Sequence, residues 1–111
     1  MTRGASQRIN DILEAIGRCE AYAAELSSPD PTQVRMAEDA IERNLQIIGE
    51  AAKRLPSEVT GKHPEIPWAQ IRGFRNILVH EYFGVETEVV RDVVENYLPP
   101  LASALAKETR D

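Results

Sequence analysis

The stretch from Arg72 to Tyr82 gathers more chemically capable side chains than any other part of the chain, among them Arg72, Arg75, Asn76, His80 and Tyr82. Histidine ordinarily titrates near neutral pH, so His80 is equipped to take up or release a proton. Arginine is a permanent planar cation whose donors match a phosphate, so Arg75 is equipped to hold negative charge as it develops. Proton transfer beside a phosphate is the chemistry these two side chains can do together. The competing account is structural. An arginine within an apolar stripe commonly snorkels or pairs, and a lone helical histidine can be a surface group or a satisfied core group.

The element that must present these side chains is a helix. Pro67 suits a first helical position, where its missing N–H would be an orphan anyway, and Gly84 suits the residue just past a helix end. The pattern predicts a helix from Pro67 to Phe83. At about 100° per residue, Trp68, Ile71, Phe74, Leu78, Val79 and Tyr82 share one broad face, with Arg75 among them. His80 is turned about 140° away from Arg75, on a narrower face with Gly73, Asn76 and Ile77. One helix therefore cannot easily bring both groups to one phosphate. Two antiparallel copies could, with Gly73 allowing close backbone approach.

A chain of 111 residues is enough for one domain with one core, spanning 1–111 with frayed ends at about 1–5 and 108–111. The formal charge of −5 is unusual for a protein that grips nucleic acid along a long track, because neutralisation of phosphates by Lys and Arg supplies most such affinity. Any such contact should be local, around Arg72 and Arg75, with Lys53, Arg54 and Lys62 as further candidates. Cys19 is the single cysteine, so no internal disulfide can form. No apolar run is long enough for a signal sequence or a membrane span, which makes the cytoplasm the expected location.

The supporting elements follow from periodicity. Ile9, Ile12, Leu13, Ile16, Cys19, Ala23 and Leu26 recur at helical spacing and predict a first amphipathic helix that stops at Ser27, Ser28 and Pro29. Cys19 lies on the apolar stripe and should be a buried, inert thiol. Asp30 as N-cap, Pro31 at the first helical position and Gln33 placed for a capping box begin a second helix, which ends at Leu55 and Pro56. Ala37, Ile41, Leu45, Ile48, Ala52 and Leu55 form its stripe, widened by Ala40, Ile47 and Ala51, so it should be central. Arg43, Asn44 and Glu50 interrupt these faces, either as surface or helix-pair residues or, for Glu50, as a carboxylate that orients Arg75 by a charge-assisted bond.

Residues 56–66 read as a connection holding one or two helical turns, with His63 exposed in it. Thr87 can cap a fourth helix carrying Val90, Val93, Val94 and Tyr97, and Leu101 and Leu105 continue the pattern. Pro99 and Pro100 must kink or break this segment, leaving a short fifth helix to about Lys107. The fold expected is an all-α, up-and-down bundle of four to five helices, with helices two and three side by side.

No metal site emerges, because His63 and His80 are far apart in sequence, His80-Glu81 lacks the second histidine of H-E-x-x-H, and Cys19 has no companion. The glycines are scattered and form no phosphate loop, so no cofactor is expected.

The string Arg75-Asn76-x-x-x-His80-x-Tyr82 resembles the R-x-x-x-x-H-x-Y signature of the HEPN superfamily, specifically the HepT-like toxins of HEPN/MNT toxin–antitoxin pairs. The likeness extends to the run from Arg43 to Lys53, to the run from His63 to Trp68 and to Tyr82 through Val85, covering about Ile9 to Leu105. It implies a homodimer with a cleft at the interface to which each protomer brings the Arg–His motif. It also implies metal-independent RNA cleavage by attack of the 2′-hydroxyl, with Arg75 and His80 catalytic. Asn76 and Glu50 would support them, and Arg72 would contact RNA. Tyr82 matches the position to which a partner MNT-type nucleotidyltransferase antitoxin transfers AMP. The rival from another class is a non-catalytic helical adaptor or substrate-binding partner of a nucleotidyltransferase, which the acidic balance favours slightly and the intact Arg75, His80 and Tyr82 oppose.

Overall fold

The computed structural model describes residues 4–74 and 87–109. All regular elements among them are helical: α1 (Ala5–Ala23), a 3-10 turn (Ala24–Ser27), α2 (Pro31–Lys53), α3 (Ser57–Thr60), α4 (Trp68–Arg72), α5 (Thr87–Asn96) and α6 (Leu98–Glu108). The all-α bundle expected from periodicity is therefore what the chain forms. The segment from Arg75 to Tyr82, and the helix end expected at Phe83 and Gly84, lie outside the described residues, as does the tail beyond Thr109.

Helices α1 and α2 make the principal pair. They run antiparallel, since Arg8 and Asp11 share a groove with Glu50 and Arg54, whereas Tyr22 shares one with Ala37 and Ala40. Their seam holds Ile12, Ile16, Cys19, Ile41, Leu45 and Ile48, all buried. Removing such side chains from water drives this packing, at about 25 cal/mol per Å² of apolar surface. Val90, Leu98, Leu101 and Leu105 of α5 and α6 are buried over the same core, and α4 packs on α2 as expected for neighbours.

The helix ends differ from expectation in instructive ways. Helix α1 begins at Ala5 rather than fraying through it, because Gln7 Oε1 accepts the Gly4 N–H at 3.0 Å. Asp30 caps α2 by accepting the Thr32 N–H at 2.9 Å, with Pro31 first in the helix as expected. Its own N–H goes to Ser28 Oγ at 3.1 Å, the bond Gln33 was expected to supply. Pro67 precedes α4 as its cap residue instead of starting the helix, and α4 ends at Arg72 with Gly73 in a turn, so the single helix expected from Pro67 to Phe83 is interrupted there. Thr87 stands within α5, and its hydroxyl donates to Glu38 Oε2 at 2.6 Å, tying α5 to α2 instead of capping. The break before the last helix falls at Tyr97, so that Pro99 and Pro100 occupy the first turn of α6, where a missing N–H is harmless.

The largest correction concerns the connection between α2 and α4. His63 is buried, and its Nε2 lies 2.8 Å from Glu108 Oε2 in the last turn of α6. Trp68 Nε1 donates to the carbonyl oxygens of Thr60 at 3.1 Å and His63 at 3.0 Å, so a buried indole fixes the loop from below. Glu108, expected in a frayed tail, is thus helical and closes the loop from above.

Candidate active site

Helix α4 leads into the motif, and its position is set by a glycine that packing singles out. A Cβ on Gly49 would lie 3.1 Å from the Ile71 carbonyl oxygen, 3.6 Å from that of Arg72 and 3.7 Å from Phe74 Cβ. Glycine inside a helix costs roughly 0.5–1 kcal/mol relative to alanine, and here that cost allows α4 to lie directly on α2. Gly73, expected to allow close approach between two copies of the helix, has the carbonyls of its own turn, Ala69 at 3.4 Å and Gln70 at 3.6 Å, as its neighbours among the described residues. Within the chain the close approach belongs to Gly49. Phe74 is buried there, and its ring meets Tyr97 edge-on with centroids 6.0 Å apart.

Of the site residues expected from sequence, Glu50 and Arg72 lie among the described residues, whereas Arg75, Asn76, His80 and Tyr82 lie outside them. Arg72 is half-buried in the last turn of α4. Glu50 follows Gly49 directly and accepts from Lys53 Nζ at 3.3 Å. Both partners of that pair are about half exposed, so the bond is worth at most about 1 kcal/mol and leaves Glu50 available to a better donor. Lys62, named with Lys53 and Arg54 as a possible contact, sits elsewhere, 3.6 Å from Glu108.

What the sequence did not reveal is a groove of about 430 Å³ between the start of α1 and the end of α2, lined by Arg8, Asp11, Arg43, Gln46, Glu50 and Arg54 over Ile47 and Ala51. Arg43, Ile47, Glu50 and Arg54 recur at one-face helical spacing, which is readable in the sequence. Arg8 joins them only once α1 lies antiparallel to α2.

Two other polar groups are settled by burial. Asn44 is buried on the α1 side of α2, with Nδ2 donating to the Ala40 carbonyl at 2.8 Å and Oδ1 without a partner among the described residues. Its burial makes it a packing residue of the bundle rather than a surface group. Burial, helped by the charge of Glu20, pushes the Cys19 thiol up to about 12, so it stays protonated and inert as expected.

Among the described residues no helix is long and apolar enough to cross a membrane. The antiparallel α1–α2 pair, with α4 laid on α2 and α5–α6 closing the core, makes this a HEPN-like helical bundle. The chain belongs to the HepT-like ribonuclease family: the family model described as Ribonuclease HepT-like matches residues 12–108. It is 36% identical over 107 residues to a Thermococcus cleftensis protein named "Probable ribonuclease HepT", covering 96% of this chain and 97% of that one. It is 40% identical over 86 residues to "Putative RNase TTE0752" of Caldanaerobacter subterraneus subsp. tengcongensis, covering 78% of this chain and 73% of that one. A third relative, from Methanocaldococcus jannaschii, is named "Gamma-glutamylcyclotransferase and putative RNase MJ0434"; it is 36% identical over 99 residues, which are 89% of this chain and 45% of that longer protein. No solved structure matches the chain.

Proposed function

We propose that this chain is the toxin component of a HEPN/MNT toxin–antitoxin pair, acting in the cytoplasm as a metal-independent endoribonuclease at a cleft between two protomers. One observation carries this: a chain of the HepT-like ribonuclease family bears Arg75, Asn76, His80 and Tyr82 at the spacing R-N-x-x-x-H-x-Y. In the reaction, an RNA 2′-hydroxyl attacks the neighbouring phosphorus. The new O–P bond forms as the bond to the 5′-oxygen breaks, leaving a cyclic phosphate that can open to a 3′-phosphate. His80 moves the protons and Arg75 holds the charge on the phosphorane. Glu50 orients Arg75, Asn76 assists His80, and Arg72 contacts the RNA. The pairing of Glu50 with Arg75 is supported by the packing of their chain neighbours, Gly49 against Phe74. AMP transferred to Tyr82 by the partner nucleotidyltransferase adds bulk and an anionic phosphodiester beside the site, opposing substrate by sterics and like-charge repulsion.

The test is cleavage of RNA by purified protein in the presence of a chelator, with intact-mass analysis after co-expression with the nucleotidyltransferase. His80→Ala should lose about 10²–10⁴-fold of the activity, and AMP should map to Tyr82. Equal cutting by parent and variant overturns the role of His80. A parent that binds the nucleotidyltransferase and cuts nothing is the adaptor instead.

A further inference from the structure

We infer that the groove between the start of α1 and the end of α2 binds the RNA backbone, with Arg8, Arg43 and Arg54 as the phosphate contacts. The inference rests on the ribonuclease reading and extends it from the reacting groups to the substrate's path. On an acidic chain of net charge −5, these arginines converge on one groove. None of them makes an ion pair or a side-chain hydrogen bond among the described residues. Two carboxylates, Asp11 and Glu50, share the groove with the three arginines, which leaves its lining a net positive charge.

A guanidinium presents a planar fork of donors that matches a phosphate, and exposed arginines such as Arg43 and Arg54 surrender little hydration to meet one. They stand eleven residues apart on nearly one face of α2, which is about 16 Å of helix rise and long enough to follow several linked phosphates rather than one anion. Ile47 and Ala51 lie between them and give a sugar or base an apolar floor. The groove also shares α2 with the contact that seats α4. Glu50 lines it, and the adjacent Gly49 touches Ile71, Arg72 and Phe74, the residues that lead directly into Arg75. A protein partner could be drawn to the same cations, but a chain of a ribonuclease family has RNA as its expected anionic ligand.

The experiment measures fluorescence anisotropy of a labelled single-stranded RNA made uncleavable by 2′-O-methylation, titrated with the full chain at several salt concentrations. Arg43→Glu and Arg54→Glu, both at exposed positions, are compared with Arg35→Glu, an equal charge change on α2 outside the groove. Each groove variant should bind about tenfold more weakly whatever the base sequence, with a salt dependence shallower by about one phosphate contact, while Arg35→Glu binds like the parent. Equal losses in all variants would mean that net charge alone acts, and the groove assignment falls. A change in oligomer size by sedimentation with unchanged RNA affinity would make the groove a protein contact, and also overturns it. If the parent binds the uncleavable RNA through the groove but never cuts its 2′-hydroxyl counterpart, the ribonuclease site is wrong and the groove stands.

Discussion

The two ends of the α1–α2 pair are built from the same helices and differ in character. At one end Arg8, Arg43 and Arg54 surround a groove of about 430 Å³. At the other, Tyr22, Met36, Ala37 and Ala40 line a groove of about 300 Å³ with Gln33 and Glu25 at its edge, and Met36 is two-thirds exposed. Between them the seam is closed by Ile16, Cys19, Ile41 and Leu45. One seam between two helices thus carries a groove rich in arginine at one end and a largely apolar groove at the other.

The sharpest way to break the comparison is to charge the closed waist that separates the two ends. Asn44→Asp places a carboxylate where the existing Oδ1 has no donor among the described residues. An unpaired buried charge should cost about 3–5 kcal/mol at neutral pH. The loss should shrink in acid, where the carboxyl is protonated, because burial raises its pKa and favours the neutral form. Urea unfolding at neutral and acid pH checks this, and equal losses at both would show that the site admits water.

A smaller change acts on the cationic end alone. Gly49→Val adds a branched side chain where even a Cβ would sit 3.1 Å from the Ile71 carbonyl oxygen. It should cost about 1–3 kcal/mol through overpacking and push α4 outward, so RNA cleavage should fall further than stability predicts. A variant as stable as the parent would mean that α4 shifts freely.

The smallest effect touches neither end. The hydrogen bond from His63, assisted by the charge of Lys62, holds the Glu108 carboxyl below its usual range against an opposing push from burial. A carboxyl whose folded pKa is depressed contributes stability above its unfolded value and loses it as pH falls through the folded value. Glu108→Gln should therefore flatten the acid side of the stability profile and leave RNA binding unchanged. An unaltered profile would show that the contact between α6 and His63 contributes nothing in solution.

How far the sequence revealed this molecule depended on whether a feature was local. The stripes Ile9 to Leu26 and Ala37 to Leu55 marked α1 and α2 because helical periodicity and the Asp30–Pro31 start are local signals, and Cys19 on its stripe proved buried. His63 was expected to be exposed because its burial depends on where the last turn of α6 lands, 45 residues later. Gly49 looked like any other helical residue, since its importance lies in what packs against it. Half of the cationic groove was readable from the spacing of Arg43 and Arg54, and Arg8 was not, because no local rule sets which residues of another helix face them. The motif itself was legible only as a spacing matched to a family. Helix angles add an expectation that the spacing alone does not carry, that Arg75 and His80 meet from two chains.

That last point can be measured directly by mixing two inactive proteins. Arg75→Ala and His80→Ala protomers, co-expressed and purified as a heterodimer, should regain one working cleft and cut RNA in the presence of a chelator at roughly half the parental rate, while each variant alone remains inactive. Heterodimers as inactive as either variant, or a monomer that cuts RNA unaided, would contradict a site built from Arg75 of one protomer and His80 of its partner.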